Sequence, residues 1–161
     1  QSALQGDIEA SIVTELAYES VLNDFLNNLA DASAVFSDMA ACFGKAGAPS
    51  IGTTTPQILV AQASTTLSAI LTPQTNEKNA LLTASQKTLA QLQQLDDQVQ
   101  SAQTVANVNA LSDEYQALVS SNALHTQNDI TFLTSDRDAS KTTLDTLVSN
   151  VSTSIKECHT Q

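Results

Sequence analysis

Cys42 and Cys158 are the only cysteines of this chain, and a pair is what a disulfide needs. In an oxidising compartment two such thiols join; in a reducing one they stay buried and free. The rest of the sequence favours the first state. Lysine is scarce, and the polar residues are mostly Ser, Thr, Asn and Gln. The chain starts at Gln1 without Met, as chains do after a signal peptide is removed or the N-terminus is trimmed. A Cys42–Cys158 disulfide is therefore expected, and with it a secreted protein that resides outside the cell, on its surface or in a periplasm. The sequon Asn150-Val151-Ser152 makes Asn150 a candidate glycosylation site in keeping with that location.

Two other constellations have the residue types for chemistry. Glu15 and Glu19 are four positions apart and share a helix face. Paired carboxylates do acid–base work when an apolar pocket raises one pKa. The residues around this pair suggest no pocket, so both are expected on the surface. Asn122, His125, Asp129 and Asp136 follow three-four spacing with Phe132 between them. His125 and Asp129 would bind a metal if another helix brought further ligands. No such set is written here, and the expectation is a solvated face without metal. His125 and His159 lack the E-x-x-H and H-E-x-x-H frames of di-iron and zinc sites, and no glycine loop of the phosphate-binding kind occurs. Asp96-Asp97 and Asp113-Glu114 are adjacent pairs that point to different sides of a helix. No catalytic residue and no cofactor is assigned, and the chain reads as a non-enzyme.

A fourth group is apolar. Phe25, Phe36, Met39 and Phe43 lie at heptad spacing. An opened bundle lined by them would hold a fatty acid or similar apolar molecule, with Met as an adaptable liner. The simpler reading is an ordinary core seam.

The elements that must position these residues are helices. From Gln74 to Gln161 there is no glycine and no proline, while Gly44, Gly47, Pro49, Gly52 and Pro56 crowd one window. The first helix is predicted from about Asp7, as N-cap, to Cys42 or Phe43, with Gly44 as a left-handed C′ residue. Its stripe is Leu22, Phe25, Leu29, Ala32, Phe36, Met39 and Phe43, a coiled-coil seam. A Gly/Pro loop spans 44–56. Thr54 or Thr55 caps the next helix, with Pro56 in its first turn and Leu59, Ala63, Leu67 and Ile70 on one side. Pro73 kinks or ends it. The segment 75–103 follows, with Leu82, Leu89, Leu92, Leu95, Val99 and Ala102 on a face. Asn107 and Asn109 are the predicted turn, and Ser112-Asp113-Glu114 the next helix start. Leu144, Leu147, Val151, Ile155 and Cys158 close the chain, and the Ser135-Asp136-Arg137-Asp138 run is a candidate break.

A Cys42–Cys158 bond joins the C-terminal ends of the first and last helices, so these run parallel and the helix count is odd. The expected fold is an all-α, elongated antiparallel bundle of three long helices, the second kinked near Pro73 and the third continuous over 107–158. The alternative is five shorter helices. Residues 1–161 read as one domain. Apolar residues make up 42% and aromatics 4%, which suits closely packed helices. The net charge of −11 argues against nucleic acid and anionic membranes as partners. No apolar run is long enough to cross a bilayer; Ile58-Leu59-Val60-Ala61 is typical of the longest. The expected function is that of a structural or interaction protein acting through extended helical faces, by partner binding or self-association. The alternative is a carrier of an apolar ligand.

Overall fold

A three-four repeat, buried from Ile8 to Phe43 except at half-buried Ser11, runs along the first helix and organises what packs against it. In the computed structural model, which describes residues 1–160, α1 covers Ser2–Phe43. From Leu22 onward the predicted seam holds at every position: Leu22, Phe25, Leu29, Ala32, Phe36, Met39 and Phe43 are each at most 3% exposed. α1 starts before the expected Asp7 cap, because Gln1 anchors its first turn: Nε2 donates to the carbonyls of Val99 and Ala102, and the Gln1 carbonyl accepts from Gln5.

The helix ends where expected, though for a different reason. Gly44 is not left-handed; its amide still bonds to the Ala40 carbonyl at 2.9 Å. A Cβ at Gly44 would sit 2.7 Å from that oxygen, so the glycine is needed for space. The left-handed residues of the loop are Gly47 and Gly52, at φ 79° and 59°. Ile51 and Thr54 pair as a tight two-bond bridge around Gly52. Thr55 then occupies the N-cap of α2 (Pro56–Thr66) with extended backbone, and Pro56 opens the helix.

α2 does not end at Pro73. It passes through a π turn, Leu67–Leu71, into α3 (Thr72–Ser101). The Thr72 amide reaches back to the Leu67 carbonyl, so the turn before the proline is widened by one residue. α3 stops at Ser101, and Thr104 caps α4 (Val105–Ser120) by accepting from the Asn107 amide at 3.1 Å. Asn107, Asn109 and Ser112 thus lie inside a helix, not at the predicted turn and restart. α5 covers Gln127–His159, with Ser135 to Asp138 inside it.

Counting α2 to α3 as one continuous helix, four helices form the all-α bundle, in place of the expected three or the alternative five. The unforeseen break lies at 121–126. Among the described residues there is no β-strand, and no helix is long and apolar enough to cross a membrane.

The chain packs as two compact units. The first holds residues 1–23 and 80–135. Its core is Ile8, Leu92, Leu95, Val99 and Tyr115, with Leu4, Ile12, Leu111, Leu118 and Leu124 packed around it. Contacts of Gln1 with Val99 and of Glu15 with Ser85 make α3 antiparallel to α1. Contacts of Tyr115 with Asp7 and Ser11, and of His125 with Glu15, run parallel to it. The second unit holds residues 24–79 and 136–160. Here Arg137 meets Asp24, and Cys158 meets Cys42, so α5 is parallel to α1 as expected.

Candidate functional site

The seam of α1 does not start at Leu22. Followed backward with the same spacing it passes through Tyr18, Glu15, Ser11 and Ile8. Glu15 is therefore a core position, and it is fully buried, against the expectation of a surface carboxylate. A buried charge has to be met by donors, and four bonds supply them. The His125 backbone amide donates at 2.6 Å, His125 Nδ1 lies 3.0 Å from both carboxylate oxygens, and the Ser85 hydroxyl donates at 2.7 Å. Burial pushes the Glu15 carboxyl up; the His125 ring and amide and the Ser85 hydroxyl more than offset it and hold the group below its ordinary value.

His125 is placed by its neighbours. Its ring stacks on Tyr18 with centroids 3.7 Å apart and planes 9° apart, and its side chain is 22% exposed. Its backbone amide is free to donate because 121–126 is not helical. Asn122 takes φ 60°, a conformation asparagine tolerates. Thr126 and Asp129 then form a reciprocal cap at the start of α5: the Thr126 amide donates to Asp129 Oδ2 at 2.7 Å, and the Asp129 amide to Thr126 Oγ1 at 3.2 Å.

The expected common face of Asn122, His125, Asp129 and Asp136 does not exist, because the first two lie in the 121–126 loop and the others on α5. Phe132 is 77% exposed. Among the described residues no group of three or more His, Cys, Asp or Glu is arranged to hold a metal.

Chemically the cluster is a clasp. Serine, histidine and glutamate are all present, yet the hydroxyl donates to the carboxylate rather than to the imidazole. In a nucleophilic relay the imidazole stands between the two. Here the carboxylate stands in the middle, and the serine oxygen is not activated. Glu19, half-buried, lies 3.3 Å from the same Ser85 hydroxyl.

The other predicted residues lie in the second unit. Cys42 and Cys158 form the expected disulfide, with Cα atoms 6.3 Å apart across a separation of 116 positions. The bond is compatible with an extracellular or periplasmic location. Phe25, Phe36, Met39 and Phe43 are all in the buried seam, and Phe43 also borders a surface depression beside 44–48. Asn150 is exposed on α5.

Sequence reasoning passed over Lys78, which is 3% exposed. Its stem is covered, its Nζ sits 4.7 Å over the Phe25 ring, and it pairs with Glu77 at 2.8 Å and Asp136 at 3.4 Å. Its signal was spacing: Leu71, Lys78, Ser85, Leu92 and Val99 repeat every seven residues.

One face of α1 points entirely outward. Positions 3, 6, 10, 13, 17 and 20 are all exposed, and they are Ala3, Gly6, Ala10, Val13, Ala17 and Ser20. Val13 is 66% exposed, and Leu16 beside the frame is 48% exposed. Continued into the second unit, the frame reads Asp24, Asn27, Asp31, Ala34, Asp38 and Ala41, again all exposed. No protein-family model matches this chain, and no curated protein or solved structure matches it either.

Proposed function

We propose that the protein is a secreted, non-enzymatic interaction protein that associates through the uncharged outward face of α1, and that the occupant of this face is the same face of a second copy. The observation that supports it is the run Ala3, Gly6, Ala10, Val13, Ala17 and Ser20, exposed at three-four spacing with Leu16 beside it and no charge within the frame. Small side chains let two helices approach closely, and three-four spacing is the pattern a facing helix reads. The net charge of −11 opposes association elsewhere on α1, where the frame would set Asp24, Asp31 and Asp38 against their equivalents. The clasp at Glu15 holds α1, α3 and 121–126 together beneath this face and gives it a fixed support. The disulfide serves the same end outside the cell, where no reducing pool would open it.

Analytical ultracentrifugation over a concentration series tests the reading. The native chain should dimerise with rising concentration, and the Val13→Glu/Leu16→Glu double variant should stay monomeric with an unchanged melting temperature. A native chain that remains monomeric throughout would overturn it.

A further inference from the structure

From Met39 to Asn76 the chain contains no Asp or Glu, and its one charged side chain is Lys45. In a protein of net charge −11, this is the one long segment where an anion meets no fixed negative charge nearby in sequence. The segment forms the loop after α1, α2 and the π turn, all in the second unit.

The surface of that unit opens along the same segment. A depression of about 660 Å³ is bordered by Phe43, Lys45, Pro56, Val60, Ala61 and Ser64, together with the 46–48 backbone and Gln57. A second, of about 320 Å³, lies between α1 and the π turn, with Leu26, Leu29, Leu67 and Leu71 on its walls. Both volumes are of the size that takes small molecules. Val60, Ser64, Leu67 and Leu71 are spaced four, three and four apart, so the two depressions open along one side of the same helix. The path from Val60 to Leu71 is about 16 Å long at 1.5 Å per residue. Val60 and Leu67 are half-buried and give the path its accessible apolar surface, and beneath them Phe43, Leu29 and Leu71 are buried. Lys45 is exposed at one end of the path, and no carboxylate among the described residues forms an ion pair with it.

We infer that the second unit binds a single-chain amphipathic anion, a long-chain carboxylate of the fatty-acid class, with its carboxylate at Lys45 and its chain laid along Val60, Leu67 and Leu71. The charge pattern selects this occupant. An uncharged apolar molecule would have no use for Lys45, and a free inorganic anion would have none for the apolar floor. The site differs from the slot that Phe25, Phe36, Met39 and Phe43 would line, since of those four it uses Phe43 alone. It is also independent of the α1 face through which copies associate.

The test uses the monomeric Val13→Glu/Leu16→Glu chain, so that failure of association and failure of binding are read separately. Palmitate below its micellar concentration is titrated calorimetrically at neutral pH, beside hexadecanol, which has the same chain without the charge. Native mass spectrometry counts the bound molecules. One palmitate per chain is expected, with hexadecanol at least about tenfold weaker and Lys45→Glu weakening palmitate by about tenfold or more. A second variant, Val60→Asp, should abolish palmitate binding while the melting temperature stays within a few degrees. Absence of bound palmitate, equal binding of the alcohol, or unchanged affinity in Lys45→Glu would each overturn the inference.

Discussion

α1, α3 and α5 each run through both units with one seam spacing and one parallel–antiparallel arrangement, yet the two units solve the seam differently. In the second unit every α1 seam position from Phe25 to Phe43 is apolar, and the neighbouring chain is helical wherever it runs beside α1 along α5. In the first unit the seam carries Ser11 and Glu15. There the chain beside α1 breaks at 121–126, next to Glu15, and puts a backbone amide and a histidine ring on the carboxylate. A helix interior has no amide to spare, because each is used by the carbonyl four residues back. The difference teaches that a charged seam residue is accommodated where the neighbouring chain is not helical and has an amide to give.

The largest expected effect separates the units by covalent chemistry. Replacing both Cys42 and Cys158 by Ser should cost about 4–5 kcal/mol by the chain-entropy model for a loop this long. Hydrogen exchange should show lost protection in the second unit, around α2 and the end of α5, before it appears at Leu92, Leu95 and Val99. Uniform loss in both units would show that they do not differ in this way.

Next in size is Glu15→Ala. It leaves the His125 amide and ring without their acceptor and the Ser85 hydroxyl with Glu19 alone, at a cost of about 3 kcal/mol. Glu15→Gln, which keeps one acceptor oxygen, should cost less. Urea unfolding measures both, and a loss below about 1 kcal/mol for Glu15→Ala would mean that the clasp does not hold the loop.

A smaller effect is expected at Asn122. With φ at 60°, Asn122→Ala should destabilise by about 1 kcal/mol, while Asn122→Gly should fall within a few tenths of the native chain. Equal losses for the two would show that the side chain, not the backbone, matters there.

The smallest effect is read in acid. The Glu15 carboxyl is depressed in the folded state, so its contribution is fully present above the ordinary carboxylate value of 4.5. Below that value it falls away as the pH drops toward the depressed folded value. The stability gap between the native chain and Glu15→Gln should therefore narrow as the pH falls below the ordinary carboxylate value. A gap that widened on acidification would reverse the sign of the argument.

The all-α class, the disulfide, the end of α1 and the loop after it were legible because each rests on local signals: spacing, cysteine count, and glycine with proline. The break at 121–126 was not, and the reason lies in particular residues. Thr126-x-x-Asp129 is a capping pattern in plain sight, and Asn122 a residue that accepts positive φ. Reading Asp129 with His125 as a helical pair hid both. The decisive influence, a buried carboxylate 110 positions earlier, acts only once α1 is beside the loop. Glu15 itself was within reach, since the seam from Leu22 needed only to be continued backward. Pro73 was read as a kink in one continuous helix, and the chain does run on through it, the irregularity being a π turn over Leu67–Leu71 just before the proline.

The position of the staple has a consequence in time. Cys42 and Cys158 are 116 residues apart. At about 5–20 residues per second of synthesis, the first thiol emerges roughly 6 to 23 seconds before its partner. During that interval nothing covalent holds α1 to anything, and its seam must find α2 and α3 unaided while Cys42 remains open to exchange with other thiols. The bond therefore arrives as a lock on an arrangement already reached, and any chain that has not reached it by then presents a thiol that can pair with the wrong molecule.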